Sequence, residues 1–469
     1  MQIPFDNSYA SLPDAFYTRL NATPVKTPQM LAFNHDLAAV LGIEVGDLSE
    51  AAQVFAGNET PDNAAPLAQL YAGHQFGNWN PQLGDGRAIL LGEVIGTDGI
   101  RRDIQLKGSG PTPYSRMGDG RAWMGPVLRE YLVSEAMHAL GIPTTRALAA
   151  VSTGESIWRE QGALPGAVLT RVARSHLRVG TFQIFAARGE VEHLKTLTQY
   201  AIDRHYPEAQ GPMDLLRAVC SAQAALIPAW MAHGFIHGVM NTDNASIAGE
   251  TIDYGPCAFM DAFAQNRVFS SIDQMGRYAF GNQPNIAVWN MAQLATALIA
   301  QVDDRDAAVE EATAIIHAMP EQIEANWLSR FAAKIGISTP IAADVKLLEH
   351  LLALMQEDGA DFTNTFRALG TDAAREHFVD REAFDAWAAN WQDRIKAEPD
   401  PQALMKRTNP AVVPRNHRVE AMIEAAVAGD MAPFERLSKA LATPFTETDP
   451  DLHRPPTSDE IVPATFCGT

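Results

Sequence analysis

The sequence predicts an α+β protein in two parts, a strand-rich segment over residues 71–190 and a helical one over 191–443. Three observations carry that expectation. Glycine and turn residues punctuate short apolar runs in the first part, whereas apolar residues recur at a 3.6-residue period in the second. A lone helical pattern over 124–140 interrupts the strands. Composition agrees, because 469 residues with 46% hydrophobic and 20% charged side chains can bury a large core, which excludes fibrous, disordered and coiled-coil classes.

Residues 1–70 mix short helical patterns with Pro, Asn and Asp breaks and read as an N-terminal extension packed on the core of the chain. Runs at 88–91 and 104–106 have strand character. The 124–140 helix is indicated by the spacing of Val127, Leu128, Tyr131, Leu132, Met137 and Leu140, with Pro126 near its start and Gly141 just past its end. Later helices are marked by Leu215, Leu216, Val219, Leu226, Ile227 and Trp230, and again by Leu347, Leu348, Leu351, Leu352 and Met355. Between them, 235–261 places apolar pairs among turn residues, as short strands and loops do. A tail over 444–469, rich in Pro, Asp and Thr, is expected to run over the surface.

With 36 Lys plus Arg against 56 Asp plus Glu, the net charge of −20 argues against nucleic acid or membrane as partners. An anionic ligand needs a local basic pocket. The first thirty residues show neither a basic n-region nor an apolar h-region, and no uninterrupted apolar run reaches about 18 residues, so the expected location is cytoplasmic. Three cysteines, Cys220, Cys257 and Cys467, are too few for a disulfide scaffold or paired CxxC zinc motifs.

Three features of the first part combine into a phosphate-handling unit. Gly84, Asp85, Gly86 and Arg87 lead into a strand, where glycines admit close backbone approach, although an ordinary hairpin turn has the same signature. Period-2 alternation sets Lys107 on the strand face opposite Ile104 and Leu106. Glu130 flanks the apolar stripe of the helix 23 positions later. A strand lysine followed by an inward helical glutamate is the protein-kinase arrangement, in which the pair orients lysine toward nucleotide phosphates. A second glycine-rich stretch over 107–121 contains Asp119 and Gly120 and is either functional or merely mobile. Arg171, Arg174 and Arg178 are concentrated in an acidic chain, as a solvated edge or as a guanidinium clamp for phosphate.

The stretch from His237 to Asn244, followed by Asp253-Tyr254-Gly255, repeats the order HxDxxxxN then DFG of the kinase catalytic and metal motifs. Asn244 and Asp253 offer hard oxygens for magnesium between nucleotide phosphates. One departure is decisive: five positions before Asn244 stands Val239, which cannot accept a proton, while Asp243 immediately precedes Asn244. Either the chain is a catalytically dead kinase relative, or the reacting phosphorus lies elsewhere.

Four blocks, YAGHQFGNWNPQLGDGRAILLGEV, RDIQLKGSGPTPYSRMGDGRA, VLREYLVSEAMHALGIPTTRAL and HGVMNTDNASIAGETIDYGPCAFMD, resemble the selenoprotein O family of protein adenylyltransferases. The resemblance runs from about residue 7 to the cysteine-bearing tail. It implies a bilobal protein-kinase-like fold in which ATP sits flipped, so that AMP passes to Ser, Thr or Tyr hydroxyls of protein substrates and pyrophosphate leaves. It further implies Asp243 as proton acceptor, Asn244 and Asp253 as ligands of Mg2+ or Mn2+, and Gly84, Gly86, Arg87, Lys107, Asp119, Gly120, Arg171 and Arg178 as ATP contacts, with Glu130 orienting Lys107. Members often carry a cysteine or selenocysteine where Cys467 stands, some pairing it with a cysteine after the DFG-like motif. Here the comparable stretch, 267–272, has none, and Cys257 is the substitute partner or a small core residue. The rival expectations are a phosphotransferase with an unflipped nucleotide and a nucleotide-binding pseudokinase that serves as an interaction module.

Overall fold

A computed structural model describes residues 1–160, 162–447 and 449–466. Its strand-rich half contains β1 (Tyr17–Arg19), β2 (Gln29–Phe33), β3 (Leu67–Gln69), β4 (Gly73–Gln75), β5 (Asn78–Asn80), β6 (Ala88–Ile95), β7 (Arg101–Lys107), β8 (Ala122–Trp123), β9 (Arg146–Arg159) and β10 (Gly162–Ala173). Helices α1 (His35–Val40), α2 (Leu48–Phe55) and α3 (Met124–Ala139) lie among them. Eight strands form one antiparallel sheet in the order β1-β3-β6-β7-β10-β9-β2, with β8 also paired to β10. The protein is therefore α+β.

The first seventy residues, expected as an extension, supply three of those strands. Helices α1 and α2 bury Leu37, Leu41, Ala52 and Phe55 against Ile104, Leu106, Val168 and Val172 on one sheet face. Helix α3 covers the other face through Val127, Leu128, Leu132 and Ala136, packed on Ala147, Ala150, Ala167 and Leu169. A sheet with two apolar faces needs cover on both, and the chain's first segment provides one cover.

The second half is helical: α4 (Val179–Arg188), α5 (Val191–His205), α6 (Pro212–Ala232), α7 (Gln283–Ile299), α8 (Arg305–Lys334), α9 (Asp344–Asp358), α10 (Phe362–Ala368), α11 (Arg381–Ile395), α12 (Pro401–Thr408), α13 (Asn416–Val427), α14 (Ala432–Leu441) and α15 (Pro450–His453). Among the described residues α6 alone is long and apolar enough to cross a bilayer, and it is mostly buried, packed against α7 and α8. It ends at Ala232, and Gly234, with a φ of +68°, turns the chain into the two-residue ladder of β11 (Phe235–Ile236) and β12 (Ala258–Phe259). That ladder closes the base of the loop that carries the second set of motifs.

Two packing relations escape the 3.6-residue period. Helices α13 and α14, expected with the helical half, pack behind α3, where Phe434 meets Tyr131 edge-on at 5.7 Å and Glu420 pairs with Arg129 at 3.3 Å. The tail, expected at the surface, is tied down at Leu452 and at Thr465, which bridges to Ser270 and donates to the Pro256 carbonyl at 2.5 Å. Cys467 lies outside the described residues.

Candidate active site

Antiparallel register decides which side chains meet. Gln105 pairs with Arg171 and Lys107 with Leu169, so Gln105, Lys107 and Arg171 share the face that α3 covers. Glu130, at 4% exposure on α3, meets them there. Lys107 Nζ donates to Glu130 Oε2 and to Asp253 Oδ1, each at 2.6 Å. Arg171 donates to Asp253 Oδ1 at 2.7 Å and lies 3.4 Å from Glu130 Oε1. Its remaining guanidinium edge binds Gln105 Oε1 at 2.6 Å, and Gln105 in turn donates to the buried Asp85 at 3.1 Å. Two cations and two carboxylates thus balance across one junction of the strand-rich and helical halves.

Asp253 reaches this junction through a left-handed backbone, φ +65°, which a short polar residue tolerates better than a branched one. Burial would raise its carboxyl pKa, but Lys107, then Arg171 and Arg178, override burial and hold it well below the usual carboxylate range. Tyr254 is buried behind it. His237 is also buried, stacked on Trp230 at 5.2 Å with Nε2 2.8 Å from the Ile252 carbonyl, and burial lowers its pKa. These contacts brace the loop.

Asp243 occupies a 3-10 turn, Thr242–Asn244. Its Oδ2 accepts from Gln75 Nε2 at 2.9 Å, and Oδ1 has no hydrogen-bond partner among the described residues. Burial pushes its carboxyl up to about 6, against the opposing effect of the Gln75 hydrogen bond. Arg178 donates to the Asp243 backbone carbonyl at 3.2 Å, lies 4.3 Å over the Tyr71 ring, and keeps Nη2 without a partner among the described residues. Asn244 donates Nδ2 to the Val239 carbonyl at 2.9 Å, which fixes the amide and leaves Oδ1 as the atom that a cation could meet.

A cavity of about 980 Å³ brings together Gly84, Gly86, Arg87, Lys107, Asp119, Gly120, Arg171, Arg178, Asp243, Asn244 and Asp253 on its walls. Of the sequence-predicted site residues, only Glu130 stands behind the wall, where it holds Lys107. Val239 is on the wall too, so no carboxylate stands at the kinase-base position. Two details differ from the sequence reading. A Cβ at Gly84 would lie 2.5 Å from the Tyr114 ring, and one at Gly86 2.8 Å from the Tyr114 carbonyl. The close approach those glycines permit is therefore made by the chain itself. Asp119 is already engaged, accepting from Arg159 at 2.8 and 3.1 Å and from the Arg121 amide at 2.9 Å. The third arginine of the cluster, Arg174, is absent from the cavity wall.

Sequence reasoning missed Gln75, Asn241 and Tyr278. The β4–β5 turn has positive φ at Phe76 and Gly77, a hairpin geometry whose usual Asn-Gly signal is missing here. Asn241 accepts from Tyr278 at 2.6 Å and from the Phe76 amide at 3.0 Å, pairings that link residues far apart in sequence.

Asn244 and Asp253 are hard oxygen donors on one cavity wall, suited to a small divalent cation. Among the described residues no three His, Cys, Asp or Glu converge, so the pair is a partial shell that a phosphate ligand and water would have to complete.

A family model described as protein adenylyltransferase SelO matches residues 1–442. The protein nucleotidyltransferase YdiU of Roseobacter denitrificans is 68% identical over 466 residues, spanning 99% of each chain. The protein of that name from Ruegeria sp. strain TM1040 is 68% identical over 471 residues and spans both chains in full, and the one from Rhodopseudomonas palustris strain BisB5 is 56% identical over 493 residues, again spanning both in full. With residues 1–442 matched and relatives 68% identical along the length of the chain, the protein belongs to the SelO family of nucleotidyltransferases.

Proposed function

We propose that the protein transfers AMP from ATP to Ser, Thr or Tyr hydroxyls of other proteins, with ATP bound flipped relative to protein kinases. One observation carries this reading: Asp243, whose Oδ1 has no hydrogen-bond partner among the described residues, lines a cationic cavity in which the kinase-base position is Val239. The Lys107–Glu130 pair, the antiparallel sheet and the loop bearing Asn244 and Asp253 support reading the two halves as lobes of a protein-kinase-like fold.

In this reading Asp243 Oδ1 takes the proton of the acceptor hydroxyl as its oxygen attacks the α-phosphorus. A new oxygen–phosphorus bond forms, the bond to the β-phosphate bridge breaks, and pyrophosphate departs with the electron pair. Lys107, Arg171 and Arg178 stand ready to hold the remaining phosphates and offset the charge that grows on the leaving group. Mg2+ or Mn2+ held by Asn244 and Asp253 would supply Lewis-acid neutralisation of phosphate oxygens. Glu130 keeps Lys107 extended into the cavity.

The test is mass spectrometry of a hydroxyl-bearing probe protein, casein, after incubation with the enzyme, ATP and Mg2+. An AMP-sized increment on hydroxyl side chains that disappears with Asp243→Asn is the expected result. A phosphate-sized increment would put the nucleotide in the kinase orientation and overturn the reading.

A further inference from the structure

The β4–β5 hairpin supplies none of the groups used above, yet it is bonded to each residue over 241–243. The His74 amide donates to Thr242 Oγ1 at 2.7 Å, Gln75 Nε2 to Asp243 Oδ2 at 2.9 Å, and the Phe76 amide to Asn241 Oδ1 at 3.0 Å. Gln75 is itself held, since Asn80 Nδ2 donates to its Oε1 at 3.2 Å and so turns its NH2 toward Asp243. The hairpin is anchored from outside by the His74 ring, whose centroid lies 4.9 Å from that of Trp79 and 5.3 Å from that of Trp289, and whose Nδ1 meets Gln183 at 3.0 Å. Space is shaped as well: a Cβ at Gly73 would lie 3.1 Å from Asp243 Oδ1.

A carboxylate rotates about its last torsion in a broad, roughly two-fold well, so one hydrogen bond to one oxygen decides where the other points. A neutral amide fixes that torsion without placing a cation beside the group, which an arginine or lysine would do. We propose that Gln75 is a positioning residue for nucleotidyl transfer: oriented by Asn80, it holds Asp243 by Oδ2 so that Oδ1 is the oxygen that receives the acceptor's proton. This rests on Asp243 as proton acceptor. Gln75 touches neither the phosphorus nor the proton in flight; it acts through Asp243.

Steady-state AMP transfer from α-labelled ATP to casein tests this with Gln75→Met, which keeps length and removes the donor. The expected result is a loss in kcat on the order of tenfold to 10²-fold, the scale of misplacing a reacting group, with the KM for ATP unchanged. On an Asp243→Asn background, Gln75→Met adds no further loss, because its effect runs through that carboxylate. Asn80→Ala, which removes the amide that orients Gln75 and keeps Gln75 itself, lowers kcat in the same direction and serves if Gln75→Met does not fold. Full kcat in Gln75→Met beside an inactive Asp243→Asn overturns this inference alone. A rise in KM for ATP at constant kcat also overturns it, making Gln75 a nucleotide contact. An active Asp243→Asn overturns the site reading itself.

Discussion

Asp243 and Asp253 stand ten residues apart in one loop and line one cavity, yet the fold treats them in opposite ways. Asp253 receives Lys107 and Arg171 on a single oxygen and is held ionised. Asp243 receives one neutral amide, is buried, and has its carboxyl raised to about 6. The difference is in the partners, since burial raises both. A carboxylate between two cations suits an electrostatic and metal-binding role, whereas one with an unbonded oxygen and no cation hydrogen-bonded to the carboxylate can take a proton. Pushing the affinities of two neighbouring acids apart is how one site assigns two roles.

Neutralising either acid removes this contrast most completely. Asp243→Asn is expected to reduce AMP transfer by roughly 10² to 10⁴-fold while ATP still binds, as loss of a general base does. Asp253→Ala is expected to reduce turnover by about 10³-fold or more, and unlike Asp243→Asn it also weakens Mg2+-dependent ATP binding, measured by calorimetry with and without the ion. Equal loss of ATP binding in both variants would erase the division of roles. Lys107→Ala comes next, removing one of the two cations on Asp253 and leaving Arg171; kcat/KM for ATP is expected to fall about 10²-fold. Glu130→Gln is milder, since Lys107 keeps Asp253: a rise in KM for ATP of about tenfold and about 2 kcal/mol of lost stability in urea melts are expected.

The smallest effect sets the pH window in which these rates can be compared. Burial holds His176 and His417 at about 4 and His205 and His233 at about 3, below the ordinary value near 6.5. Below that ordinary value the unfolded chain binds protons that the folded chain refuses, so stability falls as pH drops. Buried acids act in reverse, Glu250 raised to about 7 and Asp243 to about 6, with Asp85 and Asp261 moved the same way, but the histidines that burial lowers, His138 and His237 among them, outnumber these carboxyls. Thermal melts should give a melting temperature that falls steadily below about pH 6.5. Above about pH 7 it should still rise toward the ordinary lysine range, because burial has lowered the Lys334 ammonium to about 7. A rise on acidification would reverse the sign.

Much of this site is legible without the fold. Lys107, Glu130, Asn244 and Asp253 have residue types and order that chemistry restricts, and the helix bearing Glu130 is bounded by Pro126 and Gly141. Val239 is legible as a side chain that cannot accept a proton at the kinase-base position, while the role of Asp243 comes from the family resemblance. Less legible is everything that depends on a partner far along the chain. Nothing local marks Gln75, whose importance arises from a hydrogen bond across 168 positions. The glycines at 84 and 86 read as room for a ligand, and Tyr114 fills that room. Helices α13 and α14 show a 3.6-residue period that says an apolar face exists without saying that α3 covers it.

The sequence by itself determined the class of the fold, the α3 helix and the chemical inventory of the cavity, because periodicity, caps and ionisable side chains are local properties. Only the tertiary structure decided that the first seventy residues complete the sheet, that Gln105, Lys107 and Arg171 share a face, and that Asp243 keeps one oxygen free. Register, burial and the direction of a hydrogen bond are relations between distant segments. Folding sets them by closing the sheet and packing both of its faces, and the pKa difference between two acids in one loop is a consequence of that closure.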